Sequence, residues 1–65
     1  MTLSPAARRA LLAMRPGEWC HPEYAQLGDW HALVTERPDL CTLDAFQGHR
    51  LTAEGERVRE VISAN

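Results

Sequence analysis

Cys41-Thr42-Leu43-Asp44-Ala45-Phe46-Gln47-Gly48-His49-Arg50-Leu51-Thr52-Ala53-Glu54-Gly55 is the stretch on which the fold turns. Two short arms, Leu40 to Leu43 and His49 to Leu51, flank a turn from Asp44 to Gly48 that ends in glycine, which is the layout of a β-hairpin. Thr52 then stands where a helix N-cap belongs. Val58, Val61 and Ile62 recur on one face of the helix it opens, and Glu54, Glu56, Arg57, Arg59 and Glu60 take the other. So small a hairpin is not stable alone, and the residues before it must supply the helices that cover it.

Upstream, Ser4-Pro5 is a helix start: the serine hydroxyl accepts from an orphan N–H, and proline at the first helical position sacrifices no useful donor. The first helix runs to about Met14. Ala7, Ala10, Leu11 and Met14 share one face, Arg8 and Arg9 point away, and Leu12 lies off the stripe. Pro16-Gly17 ends it. Trp19 and Cys20 are compatible with a very short strand. Pro22 opens a second, short helix to about Leu27, closed by Gly28. Asp29 caps a third, with Trp30, Leu33 and Val34 on one face, and Pro38 stops it near Glu36. Helix, glycine turn, helix is the layout of a helix-turn-helix pair. The expectation is an α+β, mostly helical fold in one domain, residues 1–65: three helices, a short hairpin and a C-terminal helix.

The chain has 65 residues, 45% hydrophobic and 25% charged, so it affords one core and buries only about 60% of its unfolded surface. No apolar run is long enough for a bilayer and no signal-peptide layout begins the chain, so it reads as soluble and cytoplasmic, with no membrane contact. Cys20 and Cys41 read as reduced thiols. Net charge is -2, and every one of the seven basic residues is arginine, whose planar fork suits phosphate and carboxylate. An acidic balance of this kind gives no global field for nucleic acid.

Leu51-Thr52-Ala53-Glu54-Gly55 resembles the end of the wing in bacterial winged-helix transcriptional regulators, where a strand ending in leucine-threonine runs into a helix bearing a glycine. Trp30 to Leu40 with the hairpin is similar to the recognition helix and wing of that superfamily, and with Trp19 as the short first strand the resemblance covers nearly the whole chain. It implies a small winged-helix domain of bacterial or phage type, with a role in transcription. It also implies that the first strand pairs with the second arm of the hairpin, which separates Cys20 from Cys41. On this reading the partner is double-stranded DNA, with His31, Thr35 and Arg37 facing the major groove and His49 and Arg50 on backbone phosphate. Arg8, Arg9, Arg15, Arg37 and Arg50 would then converge on one surface, or else stand as solvated arginines paired with carboxylates.

The alternative is a protein-interaction module that binds no DNA, in which an acidic third helix and an aromatic wing tip meet a basic partner. Tyr24 and Phe46 are its candidate contact residues, since exposed aromatics anchor interfaces. Cys20, His21, His31, Cys41 and His49 lack the paired spacing of a zinc site, and no set of residues has the pattern of a catalytic centre. The sequence therefore gives no reason to expect an enzyme, a metal or a cofactor.

Overall fold

The computed structural model describes residues 3–64. Along them run α1 (Pro5–Ala13), a 3-10 turn (Tyr24–Gln26), α2 (Leu27–Glu36), a second 3-10 turn (Pro38–Leu40), β1 (Cys41–Asp44), β2 (Gly48–Leu51) and α3 (Ala53–Ser63). Among the described residues this is a small, mostly helical α+β domain with one antiparallel hairpin.

Local chemistry sets the helix starts. Ser4 Oγ accepts from the Ala7 N–H at 3.2 Å, with Pro5 at the first helical position of α1. Thr52 Oγ1 accepts from the Gly55 N–H at 3.1 Å and donates to the Asp39 carbonyl at 2.7 Å. The cap of α3 thus also ties that helix to the second 3-10 turn.

The core consists of Ala7, Ala10, Leu11 and Met14 at α1, Trp30 and Leu33 of α2, and Leu40 and Leu51 around the hairpin. The expected stripe of α1 is buried in full, and it packs chiefly against α2. α3 meets the second 3-10 turn so closely that a Cβ at Gly55 would lie 1.9 Å from the Leu40 carbonyl oxygen. Only glycine permits that approach.

In the hairpin, Cys41 pairs with Leu51, Thr42 with Arg50, Leu43 with His49 and Asp44 with Gly48. Asp44 Oδ1 accepts from the N–H groups of Phe46 and Gln47 at 2.8 and 3.0 Å, which closes the turn and holds the Asp44 carboxyl below its ordinary range. Gly48 returns the chain at φ +98°. The far edge of β2 takes Cys20: its N–H donates to the His49 carbonyl at 2.7 Å, and the His49 N–H donates to the Cys20 carbonyl at 2.8 Å. β2 therefore lies between β1 and Cys20. Two strand spacings, about 9.5 Å, separate Cys20 from Cys41, beyond the roughly 7 Å reach of a disulfide. Both thiols are free.

Several expectations are corrected. The short helix expected from Pro22 to Leu27 is a single 3-10 turn, Tyr24–Gln26, and Gly28 closes nothing: the turn runs directly into α2, with Gly28 inside the helix and Asp29 in its first turn rather than at its cap. Gln26 Oε1 accepts from the Glu23 N–H at 3.0 Å and the Gln26 N–H donates to the Glu23 carbonyl at 2.8 Å, so the single turn is locally closed. A glycine within a helix costs about 1 kcal/mol, which burial of Trp30 and Leu33 at about 1.5–3 kcal/mol each outweighs. The helix-turn-helix pair thus reduces to one turn and one helix. Val34 and Val61 are exposed rather than core, Trp19 is half-buried, and Leu40 belongs to the second 3-10 turn instead of the first hairpin arm.

Candidate functional site

α2 has two faces of different chemistry. Toward α1 it buries Trp30 and Leu33 and directs both its carboxylates to partners. Asp29 accepts from Arg9 Nε and Nη2, each at 3.1 Å, and Glu36 accepts from the Ser4 N–H at 2.9 Å and from the Ser4 hydroxyl. Those bonds hold the Glu36 carboxyl below its ordinary range. The outward positions are Leu27, Gly28, His31, Val34 and Thr35, all exposed and none of them a carboxylate or an arginine. Leu27 and Val34 are 49% and 40% exposed, less than Leu43 and Val61 at 69% and 60%.

Beside this face runs an open groove of about 260 Å³, lined by Pro22, Leu27, Trp30, His31, Val34 and His49. Spacings of three and four residues bring Leu27, Trp30, His31 and Val34 onto its helical wall. The hairpin supplies His49, whose ring meets the Trp30 ring edge-on at 5.1 Å and 72°. Leu43, opposite His49 in the register, shares its face of the ladder and is 69% exposed. Burial, and secondarily the charge of His21, push the His49 pKa down and favour its neutral form. The His21 ring lies against Gly48, where a Cβ would come within 3.0 Å of it. His49 Nδ1 and Trp30 Nε1 are buried without a hydrogen-bond partner.

Of the five residues expected to meet nucleic acid, the groove brings together His31 and His49. Thr35 is exposed one helical turn beyond His31. Arg37 is engaged: its Nε and Nη2 donate to the two carboxylate oxygens of Asp39 at 2.9 and 2.8 Å, which raises the arginine pKa and lowers that of Asp39. Arg50 lies on the opposite face of the hairpin from His49, with its guanidinium 5.9 Å from the Trp19 ring centroid. Arg9 pairs with Asp29, Arg57 pairs with Glu54, and Arg59 Nη2 donates to the Leu12 carbonyl at 3.1 Å. Tyr24 and Phe46, the two candidate partner contacts, are 91% and 92% exposed, one just before α2 and the other at the hairpin tip. The Cys41 thiol is pushed up by burial and by Asp39, and so stays protonated at neutral pH.

Pro22, Leu27, Trp30 and Val34 escaped the sequence reading as groove residues. The spacing from Leu27 to Val34 carries the signal, but taking Gly28 as a helix end divides the stripe and assigns Trp30 and Val34 to the core.

No protein-family model, curated protein or solved structure matches this chain. Among the described residues no three His, Cys, Asp or Glu side chains gather as metal ligands, and no helix is long and apolar enough to cross a membrane.

Proposed function

We propose that the chain is a protein-interaction module of winged-helix type, whose working surface is the outward face of α2 with the adjoining groove. The winged-helix reading draws support from the order of helix, edge residue, turn, helix, hairpin and helix, and from the position of β2 between β1 and Cys20. The observation that carries the function is the uncharged, half-exposed aliphatic stripe of α2 beside an apolar groove, on a helix whose carboxylates are both taken up by α1 and its cap. Such a surface gains little from phosphate and much from apolar side chains. Nucleic-acid binding fits less well. Arg9 and Arg37 are held by carboxylates, Arg50 faces away from the groove, and an acidic chain must gather its free cations in one place to bind a duplex.

The test is a photo-crosslinking amino acid placed at Val34 and, as a control, at Arg57 on α3, with irradiation in cells of the source organism. Protein adducts at position 34 and none at 57 are expected. Nucleic-acid adducts at 34, or equal protein labelling at both positions, would overturn the reading.

A further inference from the structure

Between α1 and α2 the chain crosses the outer edge of β2 as a strap, residues 15–23. The strap contributes no buried side chain: Trp19, Cys20 and Pro22 are half-buried and the rest are exposed. Among the described residues, its hydrogen bonds to the body of the fold are the two between Cys20 and His49, at 2.7 and 2.8 Å. The others close on the strap itself or on the turn after it: the Glu18 N–H donates to the Arg15 carbonyl, Cys20 Sγ to the Glu18 carbonyl and the Glu23 N–H to Gln26 Oε1. Segments with few buried apolar contacts open at the lowest free energies in a fold. This one can leave β2 while α1 stays packed on α2, because the core is built without it.

Under the strap lies His49, in surroundings that suit a neutral ring. Its Nδ1 is buried with no hydrogen-bond partner. In the imidazolium both ring nitrogens are donors, so the charged form has a buried N–H without an acceptor, whichever nitrogen carries the proton in the neutral ring. The neighbours offer no compensation. α2 sets Trp30 and His31 around the groove, β1 sets Leu43 opposite His49 in the register, and the strap sets Cys20 beside it and His21 against the adjoining Gly48; none of these is a carboxylate. Burial, and after it the charge of His21, hold the His49 pKa below its ordinary value. His21 is itself a side chain of the type that gains charge as pH falls. Opening the strap relieves both effects, since it admits water to His49 and carries His21 away. Closure is therefore favoured above about pH 6.5 and weakens as pH falls from there.

We propose that the strap is a pH-operated latch, closed on β2 at neutral pH and released from the Cys20–His49 pair when His49 takes up a proton, with the core of α1 and α2 still folded. Pro22 lies on the strap and lines the groove, so release removes one wall of the groove and bares the outer edge of β2. The latch needs no partner in the groove, so its test is separate from that of the interaction reading.

Amide hydrogen exchange followed by NMR on the full chain, at about pH 7.5 and about pH 5.5 and corrected for the intrinsic pH dependence of exchange, tests this. The Cys20 and His49 N–H groups both donate in the bridge and report the latch, and the N–H of the fully buried Leu33 reports the core. Cys20 and His49 are expected to be at least about tenfold less protected than Leu33 at both pH values. Their protection is expected to fall by about three- to tenfold on acidification, about tenfold being the limit for one histidine one pH unit below its unfolded pKa. His49→Gln keeps the backbone pair, cannot take up the proton, and is expected to remove the fall. His21→Glu, at an exposed position, sets a carboxylate near the imidazolium and is expected to shrink the fall, which keeps the test open if His49→Gln disturbs the groove wall. Protection at Cys20 and His49 equal to that at Leu33 would mean that the strap opens only when the whole chain unfolds, and would overturn the proposal. So would an absent fall, a fall that survives His49→Gln, or one that His21→Glu leaves unchanged.

Discussion

The two faces of α2 are built from one run of ten residues, yet one has its large side chains buried and its carboxylates bonded, and the other stands open beside the groove. On the inward side, Trp30 and Leu33 fill the core while Asp29 and Glu36 are bonded to Arg9 and Ser4. On the outward side, Leu27 and Val34 stand half-exposed about His31. Binding the carboxylates on the α1 side serves folding, and it also clears charge from the opposite side. That is how an acidic chain comes to present a neutral, apolar helix face.

The comparison is broken most severely from the inward side. Leu33 is fully buried, so Leu33→Ala is expected to lower unfolding free energy by about 2–5 kcal/mol in urea titrations, enough to unfold much of a domain this small. Val34→Ala, one residue away, is expected to change it by no more than about 0.5 kcal/mol. Equal costs at the two positions would mean that α2 does not have two distinct faces.

Between these in size is the response to pH at the groove wall. His49 sits against Trp30 with its pKa held down by burial and by His21, so the unfolded chain binds the proton more readily than the fold does. The stability His49 contributes is complete above its unfolded pKa, about 6.5, and is lost as pH falls from there toward its folded value. Unfolding followed by tryptophan fluorescence at about pH 7.5 and pH 5.5 is expected to show lower stability at the acidic end, and His49→Gln to remove that loss. A second decline, at pH values near and below the carboxylate range, belongs to Glu36, Asp39 and Asp44, whose pKa values the fold lowers. It should survive in His49→Gln.

The smallest effect concerns Cys41. Its thiol is half-buried and its pKa is raised, so alkylation at neutral pH is expected to be slower than in the urea-unfolded chain, at a rate that tracks hairpin opening. Equal rates in the folded and unfolded chains would show that β1 is not held in place.

Elements whose signals are local were legible in the sequence. Ser4-Pro5, the α1 stripe, the glycine-ended turn of the hairpin and the Thr52 cap each announce themselves within a few residues, and each is present. What could not be read depends on tertiary contact. Gly28 looks like punctuation in one dimension, but burial of Trp30 and Leu33 against α1 carries the helix through it. The same misreading hid the groove. Asp29 and Glu36 likewise look like an acidic helix face until the docking of α1 shows which side they occupy, and nothing in their spacing specifies Arg9 and Ser4 as partners.

The most direct test of a face suited to apolar side chains rather than phosphate is a titration of the purified chain with a fluorescent mixed-sequence duplex, at about 50 mM and about 200 mM salt. No binding is predicted at either. Binding at the lower concentration that falls roughly ten- to a hundredfold at the higher, with a slope that Arg50→Ala flattens, would reveal three or four working phosphate contacts and contradict the account.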